Sequence, residues 1–571
     1  MAFREKYIPG FEQNNNLIRS RLRSYFFSYV IANLANMLLT NIDGIILGNY
    51  VGSDALSAVN IFYPINIMVA SVTTLLCAGV SKYIPVIIGK NDTESLDRAY
   101  SAISFLKKVL AISLTVVQFP VTYIVVKAFG LSPDLEKMIW AYALGVMVSR
   151  PLELYYYVAC DELISIGKVK VFTTLSMISA ILNLVFDYLL VAVLGLGIMG
   201  AGLCTGICII AESIIIQIYI RKKTNLRNFK KLPCRKEIRA LLESGVSASA
   251  LQMLGALQGV VMIYCITQAL GEIGAASMSV LALCNNIVMA IFSGVTKASS
   301  PLVGMYYSSG NYEVVDRVMS IAIKAMTIMS IILAVVIYIF TDLIYIMFGF
   351  RDISEIQRQM LWIYTFYLIL QWIYNAMKIY IDSTLQNKLS LVLNVAVTLG
   401  RIAVTFGLLY VIGGISVMWG YVIPIVIILA VTVFIYLNEK NKQNEAIGSG
   451  IKEYLFISLK QNEGSILPEK VENELISKNV PKKLAGKIAL TIEELIFIVK
   501  KKAGHDTDID ICVVSGEDNV LMMWDNGPPS ELTSYINSQP EEIFSAFLVR
   551  SIAKDLQCSR VYDLNYVTVK L

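Results

Sequence analysis

Polar side chains recur at helical spacing inside the most apolar segments of this chain. In the first such segment, Tyr29, Asn33, Asn36, Thr40 and Asp43 follow one another every three or four residues, which places all five on one face of a helix. Ionisable groups in hydrocarbon are costly and normally face a bundle interior or a water-filled cavity. The stripe predicts either such a cavity or hydrogen bonding between helices, and its charged member favours the cavity.

Two further apolar segments carry stripes of the same kind, and both include charged residues. Their members are Gln371, Asn375, Lys378 and Asp382 in one segment and Asn394, Thr398, Arg401 and Thr405 in the other. Because a solvated cavity between helices needs several aligned polar faces, we expect the stripes to line one. The candidate cavity residues are Tyr29, Asn33, Thr40, Gln252, Gln371, Asn375, Lys378, Asp382, Asn394 and Arg401.

Asp43 could take up a proton and release it as the cavity changes its exposure to water. Together with Asn36, Asn183 and Asp187, which also lie in apolar segments, it forms the candidate ion-coupling set. The alternative is that Asp43 only caps or pairs at the end of its helix. The sequence predicts no catalytic residues. It also predicts no metal site, because the nine cysteines form no CxxC pair and His505 is the single histidine.

Charged residues in the apolar segments also have candidate partners one helical turn away. The candidate pairs are Arg150 with Glu153, Asn183 with Asp187, and Lys378 with Asp382. Lys82 and Lys297 are cations near the ends of their segments, and we expect their ammonium groups to extend to the membrane interface.

The distribution of charged residues along the chain indicates which segments lie in the membrane and position these side chains. The first 440 residues contain 57 charged side chains, whereas the last 131 contain 34, the fraction of a soluble domain. The chain therefore combines a membrane-embedded body with a water-soluble tail, which excludes an ordinary cytosolic enzyme. Spanning a bilayer takes roughly 20 apolar residues. We predict twelve spans, at 25–49, 55–80, 101–127, 138–160, 171–194, 198–220, 244–270, 274–302, 318–348, 358–382, 389–411 and 415–437.

The segment Arg221–Arg239 holds nine lysines and arginines against one acid, which predicts a cytoplasmic loop. Because it follows an even number of spans, we expect both chain ends in the cytoplasm of a multi-pass plasma-membrane protein. The predicted domains are an N-terminal segment 1–24, an N-lobe 25–220, a basic linker 221–243, a C-lobe 244–437, a linker 438–450 and a cytoplasmic domain 451–571.

The two halves of the membrane body are similar in sequence. The motif Gly79-Val-Ser-Lys82 in the first half corresponds to Gly294-Val-Thr-Lys297 in the second half, and a proline follows each motif. Two repeats that begin on the same side of the membrane are related by an axis along the membrane normal. Such halves usually enclose a substrate cavity that opens alternately to the two sides.

Three segments of the membrane body carry a family pattern. They are Asp43-Gly-Ile-Ile-Leu-Gly-Asn-Tyr-Val-Gly-Ser-Asp, the stretch 183–202, and Ser300-Pro-Leu-Val-Gly304. They resemble the corresponding segments of multidrug and toxic compound extrusion (MATE) transporters. The resemblance implies a bundle of six plus six helices that exports organic compounds in exchange for H⁺ or Na⁺, with Asp43 as the coupling acid. Residues 251–259 lack the acid of some sodium-coupled relatives, so H⁺ is favoured over Na⁺, and Lys378 and Arg401 leave anionic or zwitterionic substrates open.

Beyond residue 451 the pattern changes to short alternating strands and charged helices. Two hairpins are predicted, from strands 508–514 and 520–524 about 517–519, and from strands 559–563 and 566–570 about 564–565. Helices are predicted at 482–502 and 542–556. Together these elements indicate an antiparallel sheet backed by helices.

Glu493-Glu494, the stretch 525–528 (Asp-Asn-Gly-Pro) and the stretch 547–555 resemble the histidine-kinase-like ATPase fold of anti-sigma-factor serine kinases. The nucleotide-binding residues that the resemblance implies are Glu494, Asp525, Gly527 and Asn565. Ile498 stands where that family has a Mg²⁺-binding asparagine, and Ser545-Ala546 stands in place of a glycine pair. We therefore expect a catalytically degenerate domain that binds ATP or ADP weakly or contacts a protein regulator.

The predicted fold is an all-α polytopic membrane protein with twelve transmembrane helices in two six-helix lobes related by pseudo-two-fold symmetry, plus a small C-terminal α+β domain. The expected activity is proton-coupled export of small organic compounds by alternating access, without a required cofactor. The expected partners are the lipid bilayer, the transported solute, H⁺ (or Na⁺) and a protein regulator, but no nucleic acid. A lipid-linked precursor flippase and a membrane-tethered signalling receptor remain alternatives.

Overall fold

The membrane body and the C-terminal domain are both represented in the computed structural model. The residues that it describes are 16–90, 92–128, 133–223, 233–347, 353–448, 453–460, 467–477, 480–503, 507–515, 519–527, 544–561 and 564–571. Those up to 448 are almost entirely helical, and those from 453 onward form a sheet with three helices. His505 lies outside the described residues.

Thirteen α-helices are described in the membrane body. In the first half they are α1 Asn16–Tyr50, α2 Ser53–Gly89, α3 Thr93–Ala128, α4 Pro133–Met147, α5 Arg150–Ser165, α6 Val169–Asp187 and α7 Gly197–Lys223. In the second half they are α8 Arg235–Ser308, α9 Tyr312–Ile339, α10 Thr341–Met347, α11 Glu355–Ser383, α12 Asn387–Val411 and α13 Trp419–Gly448. We call α1–α7 the N-lobe and α8–α13 the C-lobe. Gly271, with φ 64° and ψ −152°, divides α8 into two helical segments, a conformation that glycine adopts without steric cost.

Nine stretches of the described residues are long and apolar enough to cross a membrane. They are Ile65–Gly89, Glu94–Ile124, Val169–Val193, Gly197–Lys222, Arg235–Gly271, Val280–Ser308, Val314–Ile339, Asn387–Val411 and Gly414–Asn441. The predicted spans 25–49, 138–160 and 358–382 fall on α1, α4–α5 and α11, which are not among the nine. On α11 the reason is its polar stripe, which lowers the mean hydropathy of the helix. The total of twelve spans therefore stays a prediction.

The backbones of the two lobes come close together at glycines, where the absence of a side chain lets them meet. A Cβ atom on Gly89 of α2 would lie 2.1 Å from the carbonyl oxygen of Met305 on α8. One on Gly245 of α8 would lie 1.7 Å from the carbonyl oxygen of Leu75 on α2. These contacts lie toward the end of the bundle that carries Gly89 and Ser308. We call this end the domain side, because the C-terminal domain docks there.

The described residues of the C-terminal domain form a five-stranded antiparallel sheet in the order β1-β2-β3-β5-β4. The strands are β1 Glu453–Lys460, β2 Asp508–Ser515, β3 Val520–Asp525, β4 Asp555–Val561 and β5 Leu564–Lys570. The helices are α14 Leu467–Ser477, α15 Lys482–Ala503 and α16 Phe544–Ile552. One face of the sheet packs its Ile, Val, Leu and Met side chains against these helices.

Two sequence predictions in this domain need correction. The helix predicted at 542–556 ends at Ile552, and Asp555 already begins β4. The turn predicted at 564–565 lies inside β5, because Asn565 pairs in register with Arg560 and Leu564 pairs with Val561. Residues 562–563, between the two strands, lie outside the described residues. Leu556 and Cys558 are two residues apart on β4, and both pack on the helix-facing core. This spacing is the period of a strand and not of a helix.

The opposite face of the sheet docks on the membrane body. Trp524 and Tyr566 pair across β3 and β5 and stack with ring centroids 5.0 Å apart. The Trp524 ring lies 5.2 Å from that of Tyr306 on α8, and the Tyr566 hydroxyl donates to the carbonyl of Gly89 on α2 at 3.4 Å. The domain therefore contacts both the N-lobe helix α2 and the C-lobe helix α8.

Candidate functional site

Two adjacent cavities lie between and beside the lobes. The interlobe cavity, about 560 Å³, is lined by residues of both lobes. The C-lobe cavity, about 730 Å³, is lined mainly by α8 and α11, with Arg401 from α12 and Tyr421 from α13. The walls of both include Ala248, Thr296, Lys297, Ile379 and Asp382, so the two cavities share part of their wall. Volumes of this size accommodate drug-sized molecules.

The polar stripe of α11 faces the C-lobe cavity, because residues three or four apart share one side of a helix. Gln371, Asn375, Lys378 and Asp382 all line it. The Gln371 side-chain amide donates to Asn375 Oδ1 at 3.2 Å, and the Tyr367 hydroxyl donates to Gln371 Oε1 at 3.3 Å. The stripe therefore forms a hydrogen-bonded chain along the cavity wall.

Arg401 of α12 enters the same cavity and contacts this chain. One guanidinium nitrogen donates to Gln371 Oε1, and the guanidinium carbon lies 5.0 Å from the centre of the Tyr367 ring. Aromatic rings complete the wall at Tyr364, Tyr367, Trp372 and Tyr421. The cavity thus offers aromatic faces, amide groups and a cation.

Asp382 connects the lobes through an ion-pair cluster. Its Oδ1 lies 3.0 Å from the ammonium of Lys82 on α2, and its Oδ2 lies 3.0 Å from that of Lys378. The Ser390 hydroxyl also donates to it. The prediction that Lys82 extends to the membrane interface is wrong, because the residue is only 9% exposed and its ammonium is held by a carboxylate of the other lobe.

A second pair runs between the lobes in the opposite direction. Lys297 Nζ of the C-lobe lies 3.9 Å from Asp161 Oδ1 of the N-lobe, and Ser81 donates to the same oxygen at 2.9 Å. The Lys297 side chain is 45% exposed and lines both cavities rather than extending away from them. Asp161 is a site residue that sequence reasoning missed, although adjacent acids such as Asp161 and Glu162 in an apolar stretch are a usable signal.

The described members of the ion-coupling set lie inside the N-lobe. Asn183 and Asp187 are 3% and 1% exposed, and the predicted bond between them does not form. Among the described residues, the carboxylate oxygens of Asp187 and the side-chain oxygen of Asn183 have no amide, hydroxyl or cationic partner, and the groups that reach them are the weakly polar thiols of Cys204 and Cys208. The side chains of Asn36 and Asp43 lie outside the described residues. A buried carboxylate without a partner is costly unless it is protonated or holds a cation.

Several predicted cavity residues instead join helices. Tyr29 is fully buried with its ring 6.0 Å from that of Phe172, and Asn394 donates to the Ser247 hydroxyl at 2.9 Å within the C-lobe. Neither lines the two cavities: Tyr29 packs against Phe172, and Asn394 forms an interhelical hydrogen bond.

Two other members of the predicted set lie at the contact between the lobes. Asn33 donates to Ser293 of the C-lobe at 2.6 Å, and Gln252, which does line the C-lobe cavity, accepts from Thr74 of the N-lobe at 2.5 Å. The Thr40 side chain lies outside the described residues.

The N-lobe also contains buried ion pairs. Arg150 and Glu153, predicted as partners, approach to 2.5 Å. Lys107 of α3 and Glu162 of α5 form a pair at 2.9 Å that sequence reasoning missed. Residues in such pairs neutralise each other, so neither cation of these two pairs requires a further counterion.

In the C-terminal domain, Asp525 Oδ1 accepts hydrogen bonds from Asn565 at 2.7 Å and from the Gly527 backbone at 2.9 Å. Glu494 lies on α15 and is half-buried. Ile498 is 1% exposed and packs in the helix-facing core, so this position supplies no oxygen to a metal ion. Among the described residues, no group of three or more His, Cys, Asp or Glu side chains could hold a metal.

Comparison with known proteins gives relatives of the membrane body. The chain is 24% identical over 314 residues to the "Probable multidrug resistance protein YoeA" of Bacillus subtilis (strain 168), covering 53% of this chain and 67% of that protein. It is 21% identical over 308 residues to the "Multidrug export protein MepA" of Staphylococcus haemolyticus (strain JCSC1435), covering 52% and 68%.

Solved structures share the fold. An outward-facing conformation of a multidrug resistance MATE family transporter of the MOP superfamily superposes with a TM-score of 0.70 at 18% identity, covering 76% of this chain and 100% of that one. A MOP superfamily transporter from Pyrococcus furiosus superposes with a TM-score of 0.69 at 18% identity, also covering 76% and 100%.

The MatE family pattern matches residues 29–189 and 250–407. One matched segment lies in each lobe, and together they cover more than half of the chain. This protein is therefore a member of the MatE family of membrane transporters.

Proposed function

We propose that this protein is a secondary-active exporter of small organic compounds that works by alternating access of its two lobes. The observation that carries the proposal is the cavity, lined by charged and apolar side chains, that lies between two lobes of a MatE-family transporter. The names of the relatives in Bacillus and Staphylococcus, a multidrug resistance protein and a multidrug export protein, support an organic substrate. We infer twelve spans, with both chain ends in the cytoplasm of a plasma-membrane protein.

In this orientation the domain side faces the cytoplasm, because the basic segment 221–239 and the C-terminal domain belong there. The lobes meet at this side through Gly89 and Gly245 and through the ion pair of Lys82 with Asp382. In this proposed orientation, the contacts between the lobes close the cytoplasmic entrance. Opening it requires these contacts to separate, and the free energy for the change comes from the ion gradient and from substrate binding.

Coupling to protons is proposed at the carboxyl groups of Asp43 and Asp187, and Asn36 and Asn183 complete the proposed ion-coupling set. The support is the burial of Asp187 and Asn183 and the lack of an amide, hydroxyl or cationic partner for their side-chain oxygens among the described residues. A proton, or else Na⁺, would remove the cost of the buried charge. Exchange of that ion as the lobes move would couple the gradient to transport.

The C-terminal domain is proposed to regulate this cycle. It contacts α2 at Gly89 and α8 at Tyr306, so docking favours the state in which these two helices are close together. A protein regulator, or weak binding of ATP or ADP at Asp525 and Asn565, would act by changing the docking equilibrium.

Flux in reconstituted vesicles tests the function. A panel of fluorescent organic solutes with positive, negative and zero charge is loaded, and a pH gradient or a Na⁺ gradient is imposed. We expect pH-driven flux of at least one solute in the wild-type protein and its loss in Asp187→Asn and Asp43→Asn. Asp134→Asn, which changes an exposed acid paired with Lys137, is the matched control. Undiminished flux in both coupling variants, or flux driven by Na⁺ alone, would remove the proton-coupling role.

A further inference from the structure

Arg401 is a buried cation that lacks a counterion among the described residues. The residue is 7% exposed and lines the C-lobe cavity. Its contacts are the neutral side chains of Gln371 and Tyr367, and its Nε atom is buried without a hydrogen-bond partner in the described part of the chain. A buried charge that is neither paired nor fully hydrogen-bonded is strongly unfavourable.

The other buried cations of the membrane body show what Arg401 is missing. Lys107 has Glu162 at 2.9 Å, and Arg150 has Glu153 at 2.5 Å. At the cavity itself, two lysines, Lys82 and Lys378, share the single carboxylate of Asp382. The wall of the C-lobe cavity carries Lys297, Lys378 and Arg401 against the single carboxylate of Asp382, so positive charge is in excess on the space that a substrate would fill.

The cavity around Arg401 fits an aromatic anion. A guanidinium is planar and presents its donors in a fork that matches a carboxylate with two parallel hydrogen bonds. The side chains of Tyr367, Trp372 and Tyr421 supply flat apolar walls, and the amide of Asn375 supplies a further polar contact. Volume, aromatic surface and an unneutralised cation point to the same class of ligand.

We propose that the C-lobe cavity binds small aromatic carboxylates through Arg401. This inference rests on the proposed function, because it names the substrate class of the exporter. The ligand carboxylate forms the bidentate bond that the buried guanidinium lacks, and the ring of the ligand packs against the aromatic wall. A cationic compound is disfavoured, since it would add to a positive excess in a space of low polarity.

Binding to the purified full-length protein in detergent tests the site without any gradient. The probes are 1-naphthoate, uncharged 1-naphthamide, 1-naphthylmethylammonium and 1-naphthyl phosphate, which differ in charge but share one ring system. We expect 1-naphthoate to bind roughly tenfold or more tightly than the amide, the size of one charge-assisted hydrogen bond. Equal affinities, or preference for the ammonium probe, would overturn the proposal. Tightest binding of the phosphate probe would overturn the carboxylate class in favour of phosphate esters.

Two substitutions identify Arg401 as the source of the preference. Arg401→Gln should bind naphthoate and naphthamide equally. Gln371→Glu places a carboxylate beside the guanidinium, so it should keep or raise the melting temperature while abolishing the preference for naphthoate. The second variant keeps the test decisive if the first does not fold. Arg358→Gln, at an exposed arginine paired with Asp342, should bind as the wild type does. Retained preference in Gln371→Glu would contradict the assignment.

The binding and flux experiments test different claims, so either one can fail while the other succeeds. Binding of naphthoate that depends on Arg401, without gradient-driven flux of any solute, would keep the anion site and remove the exporter function. Gradient-driven flux of cationic solutes, without binding of naphthoate, would keep the exporter and remove the anion site.

Discussion

Lys82 of the N-lobe lies 3.0 Å from Asp382 of the C-lobe. Lys297 stands at the position in the second repeat that corresponds to Lys82, and it faces Asp161 of the N-lobe at 3.9 Å. Each lobe therefore extends a lysine to an aspartate of the other, as expected for two repeats related by a two-fold axis. We call these two contacts the reciprocal ion pairs. They lie on the cavity wall, where any separation of the lobes must break them.

Lys82→Met should weaken closure on the domain side. Removing one partner of a buried pair leaves a charge poorly compensated, which costs about 3–5 kcal/mol, and the neighbouring Lys378 will offset part of it. We expect faster reaction of Cys77, a native cysteine on the wall of the interlobe cavity, with a membrane-impermeant maleimide added from the domain side. The rate is measured in vesicles of known orientation.

The matched control for this variant is Lys127→Met. Lys127 pairs with Glu136 at 3.0 Å, but its side chain is 54% exposed, and exposed pairs contribute only about 0–1 kcal/mol. Reaction at Cys77 should stay at the wild-type rate. If Lys82→Met and Lys127→Met behave alike, the reciprocal ion pairs do not hold the lobes together.

Gly245→Ala should force the same surfaces apart by steric means. The new methyl group would meet the Leu75 carbonyl at 1.7 Å, and crowding of this kind typically destabilises by about 1–3 kcal/mol. We expect a lower melting temperature and faster reaction of Cys77. Gly407→Ala on α12 has open space around the new methyl group and should be neutral or stabilising by up to about 1 kcal/mol.

Helical spacing is enough to group Gln371, Asn375, Lys378 and Asp382 on one face of α11, and the structure places that face on a cavity wall. Spacing cannot show what covers a face. Asn394 belongs to an equally regular stripe, yet its amide is covered by Ser247. Periodicity describes one helix, whereas burial depends on which helix packs against it.

Contacts between distant segments are the part that the sequence alone does not reveal. Lys82 and Asp382 are separated by 300 residues, and no local pattern relates them. The sequence does contain one indication that the C-terminal domain docks on another surface. Strand β3 is apolar on both faces, at Leu521, Met522, Met523 and Trp524. Such a strand is expected to be covered on both sides, but the covering surface near Tyr306 can be identified only in three dimensions.

Tyr306→Ala should release the C-terminal domain while leaving its own fold intact, because Tyr306 belongs to α8 and not to the domain. Loss of a buried aromatic contact costs about 3–5 kcal/mol. We expect faster proteolysis in the linker 438–450 and a changed transport rate. Tyr410→Ala, at a side chain that is 78% exposed, should leave both unchanged, and equal proteolysis of the two variants would contradict the docking contact.

Docking should also weaken at strongly alkaline pH. Burial raises the pKa of the Tyr566 phenol from 10 to about 12, so its protonated form is favoured in the docked domain. This contribution is fully present below pH 10 and is lost as the pH rises through about 12. Proteolysis of the linker after brief exposure to each pH should show the change, and Tyr566→Phe should show a smaller one.

Lys107→Met should destabilise the N-lobe by about 3–5 kcal/mol, because it leaves Glu162 buried and unpaired. The double variant Lys107→Met with Glu162→Leu removes both charges and should recover most of the loss. A double-mutant cycle of melting temperatures in detergent measures the coupling. Additive effects would show that the 2.9 Å pair does not act as a unit.

The distance between the domain-side ends of the lobes tests alternating access most directly. Spin labels are placed by Lys170→Cys at the start of α6 and Lys388→Cys at the start of α12, both exposed positions, after Cys77, Cys234 and Cys558, the partly exposed native cysteines, are replaced by serine. We predict one short distance in the resting protein and a second, longer population when substrate is added or when Lys82→Met is introduced. A single distance that is unchanged in every condition would contradict two lobes that move about a shared cavity.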